Sequence, residues 1–172
     1  MTVAYIAMAL LLGVGFATQV TLISAMGRLR GPLEATLVSL VATVAGFTVT
    51  LAARAAAGAP LVLPSPFSRP FVYVAAAALS TASLVLLLRG IAPYFAVTGL
   101  FAIPLLVGAG FLGTRIGVGL YISSVIAGQL IGSVVLDHIG AFGTPSHHID
   151  GLRVAGIGAL LLGVALIRGI KP

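Results

Sequence analysis

Cysteine is absent from this chain of 172 residues, and only three of them carry a carboxylate. Without cysteine there is no disulfide framework, no thiol nucleophile and no thiolate metal site. Charge of either sign is scarce, at 7% of residues against 60% hydrophobic, and the mean hydropathy is +1.23. A soluble domain of this length carries far more charge, so the surrounding solvent is lipid. No glycine-rich phosphate loop, nucleophile triad or carboxylate pair is present, which leaves an enzyme reading unsupported and implies no cofactor. The formal charge of +6 raises the question of nucleic acid. The nine basic residues are spread along the chain instead of clustered, so they read as interface anchors and not as a nucleic-acid footprint.

What the sequence does contain is six apolar segments, at about 3–26, 33–57, 71–88, 93–113, 116–137 and 151–168. They predict an all-α fold, a polytopic integral membrane bundle forming a single transmembrane domain over 1–172. The first segment has no basic stretch before it and is too long for a signal-peptide core, so it reads as a retained span. Gly31-Pro32 predicts a turn, and Glu34 stands in the first turn of the second segment, where a carboxylate suits the helix dipole. Pro60, Pro64, Pro66 and Pro70 predict an extended external loop. Pro104 predicts an irregularity inside the fourth segment by freeing the carbonyl of Leu100. Arg168 and Lys171 anchor the end of the sixth.

The fifth segment carries the most information. Ile116 to Leu136 holds 21 uncharged residues, long enough to cross a hydrocarbon core. Gln129, Ser133 and Asp137 recur at steps of four and form one polar stripe. Gly117, Tyr121, Ser124, Gly128 and Gly132 form a second line, suited to close approach of another helix. Gly156 and Gly163 extend the same packing expectation to the sixth segment. A primary amide in hydrocarbon needs a partner, so Gln129 and Gln19 either tie neighbouring helices together or line a path. Thr18, Tyr121, Ser124 and Ser133 either add hydroxyls to that path or bond carbonyls one turn back in their own helices. Asp137 and Glu34 are the candidate coupling carboxylates, though both lie at segment ends where water reaches them. His147, His148 and Asp150 share one loop without a second ligating element, so no metal site is expected.

If all six segments span with the N-terminus cytoplasmic, one side collects Arg54, Arg69, Arg115, Arg168 and Lys171, and the other Arg28, Arg30, Arg89 and Arg153. That is almost no bias, and the bias is what fixes orientation. One reading is that a segment fails to span. The other is insertion in both directions, with pairing as an antiparallel dimer.

These residues resemble the YdcZ-type (DUF606) branch of the drug/metabolite transporter superfamily. The first matching block is Gln19, Gly27 and the stretch GPLEATLVSL with Ala35 and Ser39. The second is Gly128-Gln129, Ser133, Asp137, Gly140 and Gly143. The likeness covers about 1–57 and 92–170, so residues 66 to 90 read as an insertion that adds a sixth segment to five family spans. The resemblance implies a small inner-membrane transporter of small organic molecules or metabolites, working by alternating access as a homodimer or with a paired homologue. The four-span relatives place a carboxylate in the middle of the first span, and Gln19 stands close to that place here. A neutral or hydrogen-bonded substrate is therefore expected. The competing reading is a membrane scaffold or accessory subunit that moves nothing.

Overall fold

A computed structural model describes residues 2–59 and 62–169; Pro60 and Lys171, each given a part above, lie outside them. Among the described residues all regular structure is helical. Six helical stretches are long and apolar enough to cross a membrane. They are α1 (Thr2–Arg30), α2 (Pro32–Ala56), α3 (Pro70–Leu87), the continuous stretch Pro93–Ile116, α5 (Val118–His138) and α6 (Gly151–Arg168). In hydrocarbon no water satisfies free backbone groups, so apolar runs of this length become helices.

The fourth stretch is not one regular helix. It begins as a 3₁₀ helix over Pro93–Phe101 and becomes α-helical only from Ala102 to Ile116, the element α4. Pro104 therefore falls in the first turn of α4, where its missing N–H leaves no bond unmade. The irregularity expected at Pro104 lies upstream of it. The loop before α3 also differs from the extended form expected. Its described part folds into turns, with Phe67 N–H donating to Pro64 O at 2.9 Å and Arg69 N–H to Pro66 O at 3.1 Å. The Tyr73 hydroxyl bonds Phe67 O at 2.5 Å, pinning the loop to the start of α3.

Two connections are single glycines. Gly31 separates α1 from α2 at φ 93°, and Gly117 separates α4 from α5 at φ 83°. With ψ near 150°, both occupy a region open essentially to glycine alone. Gly117, expected on the packing line of the fifth segment, is the turn residue instead.

The chain forms two compact units, Met1–Ala25 with Pro104–Pro172, and Met26–Ile103. In the second unit, α2 meets the 3₁₀ helix at Gly99. A methyl there would overlap the backbone of Ser39 and Thr43, and the Thr43 hydroxyl lies 3.0 Å from Gly99 O. Ser80 on α3 and Thr48 on α2 share a hydroxyl contact of 3.2 Å. Arg30 closes the C-terminus of α3, donating to Leu87 O at 2.6 Å and to Arg89 O. A cation suits the negative end of a helix dipole.

In the first unit, α1 and α5 pack so closely that their backbones touch. A methyl on Gly128 would overlap the Leu10 carbonyl, and one on Gly13 would overlap Val125 O. Gly132 faces Val14 and Ala17, each 3.1 Å from its would-be Cβ. Positions on α5 thus advance with positions on α1, so the two helices run parallel. Helix α4 runs antiparallel to α1, with Gly108 against Leu12 and Leu112 packed with Ala9.

These contacts predict unequal glycine substitutions. Gly128→Ala should lower the thermal midpoint of the detergent-solubilised protein, read by helical circular dichroism, because the methyl has no space. Gly158→Ala, whose Cβ meets nothing within 4 Å, should leave the midpoint unchanged or raise it slightly. Gly117→Ala should destabilise by roughly 1–3 kcal/mol through backbone strain alone.

Candidate functional site

The polar residues singled out in α1 and α5 all belong to the first unit. Tyr121, Ser124, Gly128 and Gly132 are buried, whereas Gln129, Ser133 and Asp137 are only partly so. The two lines drawn along α5 are therefore a buried seam against α1 and a stripe at its edge. Gln19 is buried at 7% exposure on α1. The backbone of Gln129 lies opposite Gly13, and Gln19 is six residues further along α1, about 9 Å at 1.5 Å per residue.

Most of the hydroxyls serve their own helices. Thr18 Oγ1 donates to Val14 O at 3.1 Å, Ser124 Oγ to Leu120 O at 2.7 Å and Ser133 Oγ to Leu130 O at 2.9 Å. This is the ordinary way a hydroxyl is satisfied away from water. Tyr121 is different. Its hydroxyl donates to Leu105 O on α4 at 2.7 Å, tying α5 to the residue that follows Pro104. Its ring packs with Ala9 and Leu112, so this side chain joins three helices.

The carboxylates lie at helix ends. Asp137, in the last turn of α5, has its side chain 3.9 Å from the Arg153 guanidinium, with both partly exposed. Its carbonyl accepts from His147 N–H at 2.9 Å. Asp150 caps α6 by accepting from Arg153 N–H at 2.8 Å. Glu34 is exposed in the second unit, its carboxylate folded back to Gly31 at the start of α2. The histidines serve the α5–α6 loop: His138 Nδ1 accepts from Ile149 N–H at 3.3 Å, and the His138 and His148 rings meet edge to face at 5.4 Å. Among the described residues no three His, Asp or Glu side chains gather closely enough to hold a metal ion.

Gly156 and Gly163 face open space, and among the described residues none comes within 4 Å of a Cβ placed on either. The first unit also holds two cavities. One of about 360 Å³ is walled entirely by apolar residues around Pro104, Gly108 and Phe111. The other, of about 790 Å³, lies among the ends of α1, α4 and α6 and the start of α5, with Arg115 and Arg168 in its wall. Neither is lined by Gln19 or Gln129. The sequence reading treated Arg115 as a simple anchor and missed its setting. Its Nη1 donates to the Tyr5 hydroxyl at 2.7 Å, and its guanidinium lies 4.1 Å from the Phe111 ring centroid. Phe111 is one turn away on the same helix, but Tyr5 lies 110 positions off and gives no local signal of its contact.

Comparison with known proteins gives one family. Residues 65–166 match the model described as "Putative inner membrane exporter, YdcZ". The match runs through residues 66–90, which corrects their reading as an insertion: α3 belongs to the stretch that the family shares. The first block of resemblance, Gln19 to Ser39, lies outside the matched residues. Neither a curated protein nor a solved structure matches the chain. With more than half of its length matched, and with six helices able to span a bilayer, this chain belongs to the YdcZ family of inner-membrane proteins.

Proposed function

We propose that this protein is a secondary transporter that moves small organic molecules across the inner membrane by alternating access, as a pair of copies or with a paired homologue. The family's description as an exporter carries the reading. Three features of the chain support it. Helix α5, inside the matched stretch, sets a partly exposed polar edge, Gln129 and Ser133, beside a seam that brings two backbones into contact. Only 6% of the apolar window of α6 is buried, and its glycines at 156 and 163 leave a smooth face for a second chain. The near-equal count of Lys and Arg on alternate sides favours partners inserted in opposite directions.

The carboxylates bear on mechanism. Asp137 is engaged by Arg153, and Glu34 sits on a helix N-terminus. A hydrogen-bonded, uncharged substrate handled by Gln19 and Gln129 suits such a chain better than a cation that needs a buried carboxylate, with Thr18, Tyr121, Ser124 and Ser133 shaping the path around them.

Flux in proteoliposomes separates this reading from a scaffold. Gln129→Leu should remove uptake across a metabolite panel by tenfold or more while cross-linking still reports the dimer. An intact dimer with no wild-type flux for any compound would favour the scaffold. Ser146→Cys, in the α5–α6 loop, tests orientation with an impermeant thiol reagent on whole cells. Labelling of about half the molecules is expected for dual insertion, and labelling of all or none rules it out.

A further inference from the structure

The cavity walled by Arg115 and Arg168 lies apart from the two glutamines, and its lining changes character with depth. Its polar wall comes from helix termini: Thr2 opens α1, Arg115 is in the last turn of α4 and Arg168 closes α6. Its apolar wall comes from further in: Ile6, Leu10, Leu120, Leu161 and Val164. Leu161 is seven residues before Arg168, about 10 Å nearer the middle of the span. Among the described residues no carboxylate side chain lines the cavity, and in this unit Asp137 and Asp150 occupy the opposite ends of α5 and α6.

We propose that this cleft binds one anionic diacyl phospholipid, with its phosphate on Arg115 and Arg168 and an acyl chain along Ile6, Leu10, Leu161 and Val164. A guanidinium presents N–H groups in a fork that matches phosphate oxygens. Arg115 is already fixed by the Tyr5 hydroxyl and the Phe111 ring, so little side-chain freedom is left to lose on binding. The volume of about 790 Å³ falls within the range of small-molecule sites. A headgroup at span ends with a tail pointing inward is the geometry that a bilayer lipid has before it binds. A free phosphate would use the two arginines and leave the apolar wall wet. Basic clefts between spanning helices are suited to anionic headgroups.

Native mass spectrometry of the detergent-solubilised full chain tests this with long-chain phosphatidylglycerol, phosphatidylcholine, dihexanoyl phosphatidylglycerol and inorganic phosphate as probes. The expected result is one long-chain phosphatidylglycerol retained per chain in preference to phosphatidylcholine. Arg168→Gln, at an exposed position, should weaken it about fivefold, and Arg69→Gln, an exposed arginine of the other unit, should not. Ala165→Phe should fill the cleft and weaken long-chain lipid without removing charge. Equal retention of phosphatidylcholine overturns the proposal, as does an Arg69→Gln loss matching that of Arg168→Gln. Inorganic phosphate or the short-chain lipid binding as tightly as the long-chain one would make this a soluble-anion site, which also overturns it.

Discussion

Backbone contact between α1 and α5 at Gly128 is the constraint on which the first unit depends. Two helices whose side chains are no more apolar than lipid gain little from the hydrophobic effect when they meet. What holds them is dispersion, which grows as the backbones approach, and only glycine allows this approach at Leu10 and Gly128. The same solution recurs in the second unit, where Gly99 meets the Ser39–Thr43 turn of α2. Once α1 is seated in this register, the positions of Ser124, Tyr121 and Gln129 relative to it follow.

Hydroxyls and charges in the first unit obey a second constraint, that they are kept from hydrocarbon. Serine and threonine meet it locally, by bonding the carbonyl three or four residues back. Tyr121 is too long for that and reaches α4 instead, where its bond to Leu105 O makes an interhelix tie. The charged groups escape by position: Asp137, Asp150 and Arg153 share one end of the unit, and Arg115 and Arg168 the other. This polarity gives the unit an electrostatic direction along its helices, with carboxylates at one end and the two arginines of the cleft at the other.

Much of this was legible in the residues themselves. Steps of three and four drew the two lines on α5, and the burial of Tyr121, Ser124, Gly128 and Gly132 follows the packing line. The turn at Gly31-Pro32 and the irregularity near Pro104 also came from local rules, although the latter lies before the proline. Gly117 was misplaced because spacing alone does not separate a glycine that packs from one that turns; its φ of 83° does. The insertion reading of residues 66–90 failed for another reason. An apolar run without motif residues looks dispensable, while a family model weighs every position.

The sequence by itself determined the solvent, the helical class and the six spans, because hydropathy and length depend on composition within short windows. Its polar punctuation also determined which helix would carry the narrow seam. Only the tertiary structure decided which side chains face one another across the fold. The pairing of Leu10 with Gly128, the Tyr121 bond to Leu105 and the Arg115 bond to Tyr5 join residues of different helices. Such contacts are set by how rigid helices pack as whole bodies, and no local window of sequence records that.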